Sequence, residues 1–441
     1  MSSAHDKIEK IELDGGAVLF VESSHTIPLV DVVVSLRSGA AHDAQDKQGL
    51  FRTTFGMLRR GARDYTARQI EDAIDRLGSE VSIDVNASVA TVFGQVIERN
   101  LEPFIELFAT LLESPTFPED EFGRLKREIV ADLIGARDND RALAQRAFRR
   151  GLFRDHPYSR SSAGTIPGVE SLTTDDVRAN YRKHFVKGNV VIGFSGDITR
   201  EAAERYARRL IQALPDGPRL EDPVPPPSPV EGRRLVFVDK PERTQTQIII
   251  GRLGTSPHDP DHVALTVANS VFGGTFTSRL MREVRSKRGW SYGASSRLGV
   301  DRQRHSFSMV TFPAATDAPA CIALELELLT DLLDNGITAR ELAFIKRYLA
   351  RSYAFEIDTA NKRLHQALDV ELLGLPKDYY SSHVTRVEAI TLEEANGALK
   401  NRLNASDLLI SIVGTASEIF DKVRDAIPNL AAHDVVPFDR D

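Results

Sequence analysis

The spacing of apolar positions along the chain changes period several times, and the changes come twice in the same order. Residues 18–22 and 30–37, and again 234–239 and 246–253, are short runs rich in Val, Ile, Leu and Phe. Each couple of runs reads as a strand pair. A helix is predicted over 49–59 and over 263–271. Residues 77–96 follow, where Val81, Ile83 and Val85, then Val89, Thr91 and Phe93, alternate with a period of two. Their counterpart is 292–311. Longer helices are predicted over 118–134 and 338–356. The first has Pro118 at its first turn, with Glu119, Asp120 and Glu121 behind it, a composition that suits a helix start. Each half closes with a helix and a strand, at 190–195 and 408–413. Mixed strands and helices in two similar units predict an α+β fold.

The repetition is visible residue by residue. Glu170-Ser171-Leu172-Thr173 resembles Glu388-Ala389-Ile390-Thr391, 218 positions on, and Gly196 meets Gly414 at the same offset. Phe117, Glu121, Lys126 and Arg127 match Ile337, Glu341, Lys346 and Arg347 at an offset of 220. Two nearby offsets are what a duplicated domain with a short insertion produces. Between the halves, residues 214–232 hold Pro215, Pro218, Pro223, Pro225, Pro226, Pro227 and Pro229, too many for a helix or a central strand. This stretch is predicted to be an extended linker. The expected organisation is a first domain over 1–213, the linker over 214–232 and a second domain over 233–441.

Composition narrows the function classes. The chain has 441 residues, 41% of them apolar and 27% charged, with a net charge of -7. That is a globular balance with material for more than one core. No block of Lys and Arg stands out, which argues against a nucleic-acid partner. No run approaches the roughly 20 apolar residues of a membrane span, so no membrane partner is expected. Residues 1–10 are polar, which implies the cytoplasm if Met1 is native and the periplasm if a leader has been removed. The lone cysteine, Cys321, sits in an apolar run and reads as a small buried hydrophobe.

Chemistry enters at the first predicted helix. Gly49-Leu50-Phe51-Arg52-Thr53-Thr54-Phe55-Gly56-Met57-Leu58 resembles the zinc helix of the pitrilysin family of inverzincins, which includes insulin-degrading enzyme and mitochondrial processing peptidase. That helix reads Gly-Leu-x-His-x-x-Glu-His-Met: its two His ligate zinc from one face and its Glu polarises the water. In this chain the His positions hold Arg52 and Gly56, and the Glu position holds Phe55. Arg52 stays protonated and repels a dication. Gly56 has no side chain, and Phe55 cannot move a proton. The family's third ligand, a Glu about 76 residues further on, falls on Asp132, which alone cannot hold zinc. No metal is therefore expected in this chain.

The second half keeps what the first lacks. Phe272-Gly273-Gly274-Thr275-Phe276-Thr277-Ser278-Arg279-Leu280, then Arg282-Glu283-Val284-Arg285-Ser286-Lys287-Arg288-Gly289-Trp290-Ser291-Tyr292, is similar to the family's C-terminal signature. The resemblance assigns its Arg and Tyr to Arg285 and Tyr292, which would hold the substrate carbonyl and stabilise the oxyanion at the zinc site of an opposing domain. Gly273, Gly274 and Ser278 would let the backbone approach the substrate closely. Trp290 departs from the family, which usually has Leu there.

The resemblance covers the whole chain and implies two processing-peptidase-like domains forming half of a clamshell. The implied function is a non-zinc-binding subunit. Its partner would be a homologous chain with an intact zinc helix, and its substrates short unstructured peptides. The rival is a catalytically inert scaffold or peptide-binding subunit, a role that respiratory-complex core subunits show within the family. An active homodimer is disfavoured by Arg52, Phe55 and Gly56. The alternating segment 77–96 could add a peptide strand, as the catalytic domain's edge does in the family. His258 and His262 are four apart, but Pro260 lies between them, and they read as a loop with a helix N-cap at Asp261. His42, His156 and His184 read as isolated loop or helix-end residues.

Overall fold

The structure, a computed structural model, describes residues 7–222 and 224–440. Its first half begins with β1 (Glu9–Glu12), β2 (Val18–Ser23), β3 (Leu29–Leu36) and α1 (Leu50–Met57). A two-residue ladder, β4 (Gly61–Ala62) with β5 (Tyr65–Thr66), leads into α2 (Ala67–Arg76). The hairpin of β6 (Glu80–Val85) and β7 (Ala90–Ile97) comes next, followed by α3 (Leu101–Glu113), α4 (Glu119–Gly135) and α5 (Asp140–Phe153). Then come α6 (Ile166–Ser171), α7 (Thr174–His184), β8 (Val190–Gly196) and α8 (Arg200–Gln212). The second half runs through β9 (Arg233–Asp239), β10 (Gln247–Leu253), α9 (His262–Asn269), β11 (Ala294–Leu298) and β12 (Ser306–Thr311). It continues with α10 (Ala318–Asn335), α11 (Ala339–Ser352), α12 (Ala360–Leu373), α13 (His383–Ala389) and α14 (Leu392–Arg402). It ends with β13 (Leu409–Gly414), α15 (Ala416–Asp425) and β14 (Leu430–Pro437). The fold is α+β, with two sheet-and-helix domains. Among the described residues no helix is long and apolar enough to cross a membrane.

Each half holds one six-stranded mixed sheet, ordered β1-β2-β8-β3-β7-β6 and β11-β12-β10-β13-β9-β14. The expected strand pairs need a correction here. β2 and β3 are consecutive in sequence but not in the sheet, because β8 enters between them, parallel to β2 and antiparallel to β3. β13 does the same between β9 and β10. Nor do the halves end on these strands: α8 follows β8, and α15 and β14 follow β13.

The self-similarity rests on a repeated contact. Lys126 on α4 donates to the carbonyls of Glu170 and Leu172 at 2.7 and 2.9 Å, just before Thr173 caps α7. Lys346 on α11 donates to the Ile390 carbonyl at 2.8 Å, just before Thr391 caps α14. The lysine satisfies carbonyls that the end of a short helix leaves open.

The halves also exchange helices. One face of the first sheet packs against α1, α3 and α8 of its own half, through residues such as Leu19, Val32 and Phe194. Its other face presents Val18, Phe20, Val33 and Val191 to Leu364, Leu368 and Leu372 of α12, from the second half. Conversely, Leu143, Ala144, Phe148 and Leu152 of α5 cover Ile249, Leu409 and Val413 of the second sheet. Strand alternation makes this possible, since successive residues face opposite sides and both sides are apolar. Gly193 admits the helix: a Cβ there would lie 3.1 Å from Leu364 and Leu368. Burying three leucines contributes about 2 kcal/mol apiece, comparable in sum with a domain's whole stability.

Ion pairs of opposite sense pin the exchanged helices. At the end of β2, buried Glu22 accepts from Arg363 Nε at 2.8 Å at the start of α12. At the corresponding end of β9, 218 positions on, Lys240 donates to Asp140 at 2.7 Å at the start of α5. The 214–232 segment contains neither helix nor strand among its described residues, but it does not swing free: Val224 and Val230 are buried against the α5 core.

Candidate functional site

The helix that resembles the zinc helix, α1, is held firmly. Its N-cap, Gly49, adopts a left-handed φ of 102°. The cap comes from six residues upstream, where Asp43 accepts from the amides of Gly49 at 2.8 Å and Phe51 at 3.0 Å. Phe51 and Phe55 turn inward. Phe55 is 1% exposed, with its ring 5.0 Å from that of Phe185.

The positions that would hold zinc are filled with other interactions. Arg52 faces outward and pairs with Asp132 on α4 at 3.5 Å; the two side chains are 45% and 70% exposed. A guanidinium thus sits beside the acid that stands where the third ligand would be. Gly56 lies against α4 so closely that a Cβ would come within 2.9 Å of Leu125 Cδ2. These residues do not fit zinc, and among the described residues no group of His, Cys, Asp and Glu could hold a metal ion. The pair itself adds little stability, since exposed ion pairs contribute about 0–1 kcal/mol.

Histidines also depart from their sequence reading. His42 and His184 are not isolated: their rings meet edge-on with centroids 5.4 Å apart, and both contact Phe51. Burial keeps His184 neutral, lowering its pKa to about 3. Asp261 does precede α9, but its side chain caps nothing, because it pairs with Arg402 at 2.8 Å. His262 lies buried between Thr255 Oγ1 at 2.7 Å and the Tyr379 hydroxyl at 2.9 Å. Burial lowers its pKa to about 4. The folded chain therefore refuses a proton that the unfolded chain accepts near pH 6.5. The stabilisation is complete above pH 6.5 and is lost as pH falls towards 4, by about 2 kcal/mol between pH 7 and pH 5. Urea unfolding of the wild type and of His262→Gln at both pH values should show the smaller pH response in the variant; equal responses would refute this.

In the second half, α9 widens into a π-helical turn, Ser270–Gly274, and a second π-helical segment spans Met281–Lys287. Leu280 and Val284 anchor the second segment in the core. Arg285 stands on its outer side, with its guanidinium 4.9 Å from the Phe276 ring centroid. Tyr292 follows before β11 and is 85% exposed. Neither Arg285 nor Tyr292 has a hydrogen-bonding or ion-pair partner among the described residues. Trp290 packs on the core edge beneath Arg288, so its apolar role persists.

Of the three small residues expected at a ligand, only Gly274 is exposed. Gly273 is buried and does make a close approach, but to β11: a Cβ would lie 2.4 Å from Ser296 Oγ. Ser278 is buried, and its hydroxyl accepts from the Met281 amide at 3.4 Å. One residue escaped sequence reading. Arg279 donates to Glu341 of α11 at 2.8 and 2.7 Å and to the Gly336 carbonyl at 2.9 Å, fastening the segment that carries Phe276 and Arg285. Its position between Ser278 and Leu280 inside the signature was the available signal.

A family profile described as "Peptidase M16 inactive domain" matches residues 171–349, which reach from the end of the first half through the Arg285 and Tyr292 segment. A curated relative from Helicobacter pylori, named "Non-peptidase homolog YmxG", is 21% identical over 89% of this chain and 90% of its own length. A Bacillus subtilis relative named "Uncharacterized zinc protease YmxG" is 21% identical over 93% of this chain and 99% of its own. The crystal structure of a peptidase M16 inactive domain from Pseudomonas fluorescens superposes with a TM-score of 0.86 at 26% identity, covering 92% of this chain and 97% of that one. Over residues 171–349 the chain is similar to peptidase M16 inactive domains. Among longer similar structures, the periplasmic protease PqqL of Escherichia coli sets the scale. It matches with a TM-score of 0.78 at 15% identity over 97% of this chain but only 51% of PqqL, so this chain spans about half of that protein.

Proposed function

We propose that this chain is the non-zinc-binding subunit of a two-chain peptidase. A homologous partner with an intact zinc helix would supply the metal and the general base. This chain would supply Arg285 and Tyr292, which hold the substrate carbonyl and donate to the oxygen that gains negative charge. The observation that carries the reading is an asymmetry. The metal positions Arg52, Phe55 and Gly56 are absorbed into packing and an ion pair, while the half-buried Arg285 and the exposed Tyr292 have no side-chain hydrogen bond or ion pair among the described residues. That this chain matches one half of PqqL also supports a second, complementary half. The substrates would be short unstructured peptides.

Purification of the tagged chain from its native host tests this. A homologous chain with an intact zinc helix should appear in a one-to-one ratio, with chelator-sensitive hydrolysis of quenched fluorescent peptides that neither chain shows alone. Peptidase activity with bound zinc in the isolated chain would overturn the reading. The inert scaffold remains the second reading, favoured by the "Non-peptidase homolog" name of the H. pylori relative. It predicts an active complex indifferent to Arg285 and Tyr292.

A further inference from the structure

We infer that the face running from the Arg285 segment onto α11 is a docking surface for acidic peptides that carry aromatic or apolar residues. This names the substrate class and rests on the reading of Arg285 and Tyr292 as substrate-facing. The first observation is charge. Between Phe276 and Leu298 there are six basic residues and one acid, Glu283, in a chain whose net charge is -7. Glu283 is already occupied by Arg282, Lys287 and Arg288. On α11, Arg340, Arg347 and Arg351 are all exposed. Among the described residues, neither these three nor Arg285 pairs with a carboxylate, whereas neighbouring Arg279 does.

The second observation is aromatic. Phe344 and Tyr348 stand one turn apart on the same side of α11, and Phe355 follows it; they are 47%, 48% and 70% exposed. Phe276 and Tyr292 are exposed on the neighbouring segment. Arg279 joins the two surfaces by bonding Glu341 in the first turn of α11. Exposed aromatic rings interleaved with arginines are the composition of a binding surface. The arginines attract carboxylates, and the rings take apolar side chains or stack with the guanidinium groups themselves.

The third observation is that the fold does not require this face. At the 220-residue offset, the positions of Arg340, Phe344, Arg347, Tyr348 and Arg351 correspond on α4 to Asp120, Arg124, Arg127, Glu128 and Ala131. That helix has the same role in its own half with mixed charge and no aromatic residue at these sites.

Fluorescence anisotropy with the full chain decides the matter. Two labelled peptides of equal length and equal aromatic content are compared, one with Glu and one with Lys at the remaining positions. The Glu peptide should bind at least about tenfold more tightly, and added salt should weaken it. Arg347→Glu with Arg351→Glu should reverse the order of the two peptides. Arg347→Gln with Arg351→Gln, which cannot introduce repulsion within the fold, should erase the difference. Equal binding, binding of neither peptide, a preference for the Lys peptide, or tighter binding of a single-stranded oligonucleotide would each overturn the inference. So would self-association of the chain that the same substitutions abolish. Because the isolated chain is used, these outcomes are independent of whether the two-chain peptidase exists.

Discussion

Changing Tyr292 to Phe in the assembled pair is expected to lower kcat/KM for peptide hydrolysis by about 100-fold or more, and Arg285→Ala by a similar factor, the usual cost of one lost oxyanion donor. The variants remove a hydroxyl and a guanidinium that make no side-chain hydrogen bond or ion pair among the described residues. Tyr292 is 85% exposed, and the Arg285 guanidinium lies against the exposed Phe276 ring. Thermal unfolding of the isolated chain should therefore stay within about 0.5 kcal/mol of wild type, as for ordinary surface changes. Activity lost with stability kept would locate the defect in the reaction. Unchanged kinetics in both variants would sink the proposed role and leave the scaffold reading standing.

The second large effect concerns an attempt to rebuild the zinc helix. Arg52→His, Phe55→Glu and Gly56→His together recreate the family motif, yet the product should neither fold normally nor take up zinc. Phe55 is the decisive position. Truncating a buried Phe costs about 3–5 kcal/mol through lost transfer and the cavity left behind. A carboxylate placed among Phe51 and Phe185 adds a desolvation cost that no partner offsets. Gly56→His matters less, because the Leu125 methyl group 2.9 Å from the new Cβ is the flexible end of a side chain. Phe55→Glu alone should lower the urea midpoint most of the three, and metal analysis should find no stoichiometric zinc in the triple variant. A stable triple variant with one zinc per chain would show that the loss is confined to the ligands.

The sequence made some of this legible. Alternation over 77–96 located the β6–β7 hairpin because successive residues of that ladder differ in depth of burial along both strands. The two repeat offsets located the duplicated contacts of Lys126 and Lys346. Pairing was not legible where it depended on distant chain: nothing local to β2 and β3 reveals that β8, some 150 residues away, inserts between them. The helix exchange was hidden for a related reason. The apolar stripes of α5 and α12 announce burial but not which sheet they bury against. At the positions that resemble the zinc motif, the departures could be read, but not what takes the place of the ligands. The pairing of Arg52 with Asp132 and the role of Gly56 as a spacer for Leu125 both needed the packed helices.

The exchange of α5 and α12 bears on how the chain is made. When residue 213 leaves the ribosome, the strands of the first sheet exist, but the side bearing Val18, Phe20, Val33 and Val191 has no cover. That cover arrives with Leu372, about 160 residues later, a delay on the order of 10–30 s at ordinary elongation rates. During that interval α5 is also without its sheet. The nascent chain thus carries two sticky faces at once, each waiting on the other half, and its synthesis falls in the regime where trigger-type holdases shield emerging polypeptides.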